Sequence, residues 1–289
     1  MSSSQPQQQE QQQQSGSTNL RYQPPLEVLT NLLRTQQFYW FLGHVLAVLF
    51  FVLNFVTGFF RPRSSLRYYQ FALLSIILTY LIVIRQVHFK SGFKFSTINA
   101  RLLRDENVQY LTLAIVLYGS SFVIGQTQAS LYSFVIFSVF HVSTYFQNHL
   151  LSVFLPSIGA QQRVNSLITQ FTHKFNQPAL FLAANAEIMM LLFAGFQLAI
   201  SSLFLLFRWN FVYVGVQGFV FGVVVAFNKL RYDGNQYTKT VVDLMDARAN
   251  QFVAQVNNPQ VTELYTKIRT NVINYIRLIQ LPKSAAKKN

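Results

Sequence analysis

The side chains able to do acid–base, nucleophilic or metal chemistry are few in this chain. Cysteine is absent, which removes thiolate nucleophiles, cysteine-bound zinc, iron–sulfur clusters and disulfide frameworks together. The histidines are His44, His88, His141, His149 and His173, and of these only His141 and His149 share a predicted helix, on one face with Tyr145 between them. No Asp, Glu or Cys lies in the flanking hairpins to supply a third ligand, so the pair reads as interhelical hydrogen bonding or an interfacial position rather than a metal site. Glu187 is the single acid inside the long apolar run from Ala179 to Phe207, beside Asn185. An acid within a membrane run is costly and marks a functional candidate by default. If the helix enters near Ala179, the carboxyl sits about 12 Å along it, within reach of polar groups on a neighbouring helix. Two readings of Glu187 stay open: a structural group paired in the bundle or snorkelling to the surface, and a proton-linked or substrate-binding group. Ser-His-Asp order, a Gly-rich phosphate loop, HExxH and paired catalytic carboxylates are all missing from the sequence, so a non-enzymatic protein with no cofactor and no metal is expected.

The elements that would position these residues follow from charge and hydropathy. The 289 residues carry 23 Lys plus Arg against 9 Asp plus Glu, a formal net charge of +14, yet only 11% are charged and 51% are hydrophobic. Soluble domains are about one quarter charged, and a mean hydropathy of +0.27 excludes a purely soluble globule. Gln37 to Phe60 and Tyr68 to Ile84 are uncharged runs, and the 56 uncharged residues from Asn107 to Gln162 divide at Gly125–Gln128 into segments 108–125 and 129–151. Ala179 to Phe207 and Phe211 to Phe227 complete six candidate membrane helices. With the N-terminus inside, cytoplasmic segments hold 19 of the basic residues and the opposite side holds 4, the asymmetry of a chain with both termini cytoplasmic. The outer connections are short and the inner ones, 85–107 and 156–178, are long, so three hairpins entering from the cytoplasm are expected. No continuous apolar run in the first 36 residues reads as a signal peptide. Eight Gln in the first fourteen positions make 1–25 a disordered tail, and Leu26, Leu29, Leu32 and Leu33 give 26–36 the spacing of a short interfacial helix.

The C-terminal region again carries a pattern. Val261, Leu264, Tyr265, Ile268, Val272, Tyr275, Ile276 and Ile279 recur at steps of three and four, which is one helical stripe. Asn258 before Pro259 supplies a start and Pro282 a stop. Lys267, Arg269, Arg277, Lys283, Lys287 and Lys288 follow Glu263 with no further acid, a cationic surround suited to anionic lipid. The competing reading packs the stripe against the preceding segment, where Val241, Leu244, Met245, Phe252 and Val256 form a similar face. Nucleic acid is not expected as a partner, because the charge is spread along loops instead of clustered with stacking aromatics.

The run from Ser133 to Tyr145 (SFVIFSVFHVSTY) resembles a hallmark stretch of the transmembrane protein 33 family of the endoplasmic reticulum and nuclear envelope. Phe181 to Ile188 is similar to its second signature, an apolar run with an Asn and a Glu, and Phe211 through Lys229-Leu230-Arg231-Tyr232 resembles its last span and basic junction. The Gln-rich tail and an extra residue between Asn185 and Glu187 depart from the animal members and look more similar to the fungal, pore-associated branch. The resemblance implies a non-enzymatic protein that organises curved endoplasmic reticulum alongside reticulon-type membrane proteins and supports nuclear pore distribution or assembly, with nucleoporins and a nuclear import receptor as implied partners.

The expected architecture is therefore all-α and polytopic: tail 1–25, interfacial helix 26–36, helical membrane domain 37–228, cytoplasmic amphipathic helices 229–282 and basic tail 283–289. The expected function is shaping or stabilising curved membrane of the endoplasmic reticulum and nuclear envelope, with the lipid bilayer itself as the first partner. The alternative is a small transporter or lipid-handling enzyme using Glu187, His141 and Asn185. That reading requires a continuous polar pathway and inverted repeats with broken helices.

Overall fold

A computed structural model of the chain describes residues 25–90, 92 and 100–279. The Gln-rich tail, the basic segment 283–289 with Lys283, Lys287 and Lys288, and part of the expected inner loop 85–107 lie outside the described residues. Among those described, the regular elements are helices and no strand occurs.

The helices begin where sequence chemistry allows. Helix α1 covers Pro25–Leu32, and α2, Gln36–Gly58, starts at Thr35, whose hydroxyl accepts the Phe38 amide at 3.2 Å. Pro62 opens α3, Pro62–His88, at a position where its missing N–H costs nothing. A short α4, Ala100–Arg104, leads into α5, Glu106–Ile124, capped by Asp105, and α5 ends at Gly125 with a positive φ of 76°. Helix α6, Tyr132–Tyr145, continues through a π-helical turn, Phe146–Leu150, into α7, Leu151–Phe154. Helix α8 runs from Ile158 to Arg208, α9 from Phe211 to Gly234, α10 from Gln236 to Val256 and α11 from Pro259 to Arg277.

Five of these, α2, α3, α5, α8 and α9, are long and apolar enough to cross a membrane. The segment expected as a sixth span, 129–151, is present as α6 and its π turn, which divide it into shorter pieces. Leu49, Val52 and Phe55 of α2 and Leu78 and Leu81 of α3 are exposed on the bundle surface, an apolar periphery far beyond what a soluble monomer presents and suited to lipid tails.

Inside the bundle the packing relies on small residues and polar pairs. Ala47, Ala72 and Ala114 are fully buried among Leu73, Leu117 and Val224. At Gly43 a Cβ would lie 2.4 Å from Thr79 Cγ2, so only glycine lets α2 and α3 approach this closely. His44 Nδ1 lies 2.9 Å from Ser138 Oγ, Tyr69 OH 3.0 Å from Ser130 Oγ, and Asn54 donates to Gln126 at 3.0 Å. The first pair joins α2 to α6, and the other two tie α3 and α2 to the connection between α5 and α6, where the alternative is a polar group left unsatisfied.

One region differs from expectation. Residues 156–178 are expected to be a connection, and instead Ile158 onward forms the first half of α8, continuous through Pro178. Proline removes one intrahelical hydrogen bond at a cost of about 3 kcal/mol, which packing on either side offsets. Gln147 donates to Asn165 Oδ1 and Thr169 Oγ1 at 2.8 Å each, Phe140 stacks on Phe171, and Ala183, Ala184 and Met190 are buried beyond the proline.

Candidate functional site

Glu187 lies on the buried face of α8, 1% exposed, and both of its oxygens are engaged. Oε1 accepts the Tyr110 hydroxyl from α5, and Oε2 accepts Arg231 Nε from the end of α9 at 3.3 Å. Arg231, itself 4% exposed, extends Nη1 to Glu106 Oε2 at 2.9 Å. Its guanidinium carbon stands 5.2 Å from the Tyr110 ring centre, and Tyr80 of α3 stacks on the same ring at 5.7 Å with planes 13° apart. Three helices therefore meet at one guanidinium, and α3 joins them through the Tyr80–Tyr110 ring pair. Glu106 remains partly exposed, so water screens the outer carboxylate while the inner one depends on Arg231 and Tyr110 for all its stabilisation.

This arrangement anchors helices. A carboxylate with a donor on each oxygen, held by a planar fork, has the contacts of a satisfied ion pair. Among the described residues no group of three or more His, Asp or Glu side chains could hold a metal ion.

The other two intramembrane polar candidates lie elsewhere. Asn185 donates to Phe181 O on its own helix at 2.7 Å, the local bond that a mid-helix amide makes when it faces no partner helix. His141 belongs to an aromatic group with Trp40 and His44, at centroid distances of 4.9 and 4.8 Å. Sequence reasoning missed Arg231 and Tyr110. The basic Leu230-Arg231-Tyr232 junction was the only available signal, and it marked the end of a span without showing that the arginine turns inward.

The second candidate region is the helix pair α10 and α11. Asn235 caps α10 through the Tyr237 and Thr238 amides, and Val241 is buried against Ala184 and Ile188 of α8, while Tyr237 OH donates to Gln177 Oε1. The first turns of α10 are thus fixed to the membrane bundle. Farther on, Leu244, Phe252 and Val256 are exposed. Asn257 adopts a left-handed φ of 48°, and Asn258 accepts the Gln260 amide at 2.9 Å to start α11 at Pro259 as the sequence predicts.

No residue of α11 is buried. Val261, Leu264, Ile268, Val272 and Tyr275 are exposed along one side, and Tyr265, Ile276 and Ile279 are half-buried. Lys267 and Arg277 are exposed. Arg269, counted by sequence among the free basic surround, instead makes a two-point ion pair with Asp246 of α10, Nε–Oδ1 and Nη2–Oδ2 both 2.7 Å, with Tyr265 OH 3.4 Å from Oδ1. The Arg269 hydrogen bonds hold the Asp246 carboxyl below the usual carboxylate range.

A bundle with membrane-length helices, a buried ion cluster between them and an amphipathic helical tail defines an all-α polytopic membrane protein. Comparison with known proteins supplies the family. A family model described as "Transmembrane protein 33/Nucleoporin POM33" matches residues 28–278, and the chain belongs to that family. It is 31% identical over 254 residues, 85% of this chain and 92% of the other, to a Saccharomyces cerevisiae protein named "Pore and endoplasmic reticulum protein of 33 kDa". It is 28% identical over 282 residues, 90% of this chain and 92% of the other, to "Nucleoporin POM33" of Chaetomium thermophilum. It is also 27% identical over 251 residues, 83% of each chain, to "Tetra-spanning protein 1" of Schizosaccharomyces pombe. No solved structure matches significantly. The family is not a known enzyme family.

Proposed function

We propose that this protein is a non-enzymatic membrane-organising protein of the endoplasmic reticulum and nuclear envelope, associated with nuclear pores. Its α10–α11 tail stabilises curved membrane from the cytoplasmic side. The pore and reticulum association is supported by the names of the relatives. The observation that carries the mechanism is the exposed apolar stripe of α11, Leu264, Ile268 and Val272 among it, on a helix in which none of the described residues is fully buried. Lys267 and Arg277 are exposed on the same helix, outside the stripe, and each basic residue near an anionic surface adds about 1 kcal/mol. Insertion of this face widens the cytoplasmic leaflet and so favours positive curvature. Nucleoporins, and reticulon-type proteins that occupy the same curved membrane, are the partners in this reading. Glu187 acts as a structural anchor within it.

The test uses the full chain in cells. Changing Ile268, Val272 and Ile276 to Asp removes burial worth roughly 1.5 to 3 kcal/mol per side chain and adds charge that anionic lipid repels. The variant should remain integrated in the reticulum membrane and lose enrichment at pores and tubules. Unchanged enrichment would refute leaflet insertion and favour a basic docking segment read by a nuclear import receptor.

A further inference from the structure

We infer that the first half of α8, Ile158 to Pro178, is a second bilayer-contacting element. It lies along the cytoplasmic leaflet with Leu167, Phe171 and Phe175 at the headgroup–acyl boundary. The chain needs about 20 residues to cross a membrane, yet α8 has 51, about 76 Å at about 1.5 Å per residue. The part from Ala179 onward satisfies the span, leaving a helix of some twenty residues unexplained.

That extra half is amphipathic on its own. At about 100° per residue, Leu167, Phe171 and Phe175 fall within one narrow stripe, and the first and last of these are 64% and 44% exposed. Gln162, Ser166 and His173 occupy the opposite, exposed side. Arg163 and Lys174 sit at the edge of the stripe, Lys174 Nζ lies 5.5 Å from the Phe175 ring centre, and no Asp or Glu occurs between 158 and 178. A cationic border without counter-charge complements anionic headgroups, and lysine and arginine stems at such an edge reach the interface while the aromatic rings enter it.

The depth is set by the neighbours. Phe171 stacks on Phe140, ring centroids 5.4 Å apart, and Gln147 ties Asn165 and Thr169 to the same neighbouring helix and its π turn. Phe140 is one residue from His141, whose ring rests against Trp40 near the start of the first span. The half-helix is therefore held beside membrane-level residues instead of projecting into the cytosol. Its exposed stripe continues the apolar periphery of the bundle, and Pro178 gives the one point at which the helix can change direction without breaking further hydrogen bonds.

The inference rests on the chain being embedded in a bilayer and not on the behaviour of α11. Because the natural sequence is free of cysteine, single spin labels can be placed on the full chain reconstituted in vesicles of phosphatidylcholine with phosphatidylserine. Labels at Leu167→Cys and Phe175→Cys should collide more with oxygen and several-fold less with a water-soluble nickel complex than labels at Gln162→Cys and His173→Cys, reporting a depth of about 5–10 Å. Removing phosphatidylserine, or changing Arg163 and Lys174 to Glu, should make the two stripe labels shallower. Nickel access at 167 and 175 equal to that at 162 and 173 would overturn the inference. So would protection from oxygen and nickel alike, which would place the stripe against a second copy of the chain. The triple-Asp change in α11 should leave these depths unaltered, so failure of the tail reading and failure of this one are told apart.

Discussion

Replacing Arg231 by Met removes the cation paired with Glu187 while keeping a side chain long enough to fill the space between α5, α8 and α9. In the native protein the guanidinium serves Glu187 at 3.3 Å and Glu106 at 2.9 Å and lies over Tyr110. After the change, Glu187 keeps only the Tyr110 hydroxyl in a site that is 1% exposed. Breaking a buried pair by deleting one partner costs about 3–5 kcal/mol, whereas Glu106, already half in water, loses little. At about 1.4 kcal/mol per tenfold, the folding equilibrium constant should fall by two to three and a half decades. Glu187→Gln keeps one acceptor oxygen of the two, removes the charge and leaves Arg231 on Glu106, so a milder loss of about 1–2 kcal/mol is expected. In the double variant the uncompensated carboxylate is gone, and stability should recover relative to Arg231→Met alone. The assay is equilibrium unfolding of the purified chain in mixed micelles by titration with dodecyl sulfate, followed by helical circular dichroism, for the wild type, both single variants and the double. Additive losses, with no recovery in the double variant, would refute the view that one guanidinium holds these helices together through Glu187. Abundant, folded Glu187→Gln protein with function abolished would move weight to a transport or catalytic role.

Two further predictions concern topology and the tail. Single cysteines at Lys90 and Gln162 should react with an impermeant maleimide on intact microsomes whose cytoplasmic face is outward, and protection of either until detergent is added would reverse the orientation expected from the basic residues. The Asp246 carboxyl is depressed by Arg269, so the ion pair contributes at pH values above the ordinary aspartate value of about 3.9 and is lost as pH falls through the lower folded value. Spin labels at Ala249 and Thr266 should give one sharp distance at neutral pH, broadened by Asp246→Asn at any pH and in the parent only under strongly acid conditions. A sharp distance in Asp246→Asn would show that the α10–α11 register is set by other contacts.

The local elements were legible in the sequence because their causes are local. Apolar runs of membrane length produced five helices, four with bounds near those expected and the fifth, α8, starting at Ile158 well before the expected Ala179, since a backbone in hydrocarbon must bond to itself. Asn258 and Pro259 started α11, and the three-four spacing of Val261, Leu264 and Ile268 defined its stripe. Glu187 stood out as a costly acid in an apolar run. The composition alone excluded thiol chemistry and a soluble globule.

What only the tertiary structure decided were meetings between residues far apart in the chain, which no periodicity encodes. Arg231 reaches Glu187 across 44 positions, turning an isolated acid into a junction of α5, α8 and α9. Asp246 takes Arg269 out of the basic surround across 23 positions, so two neighbouring cations of similar appearance in sequence have different surroundings. The helix through Pro178 persists because Gln147, Phe140 and the bundle core hold both sides of it. A proline's local preference is worth about 3 kcal/mol, and packing from both flanks, written in no single stretch of sequence, outweighs it.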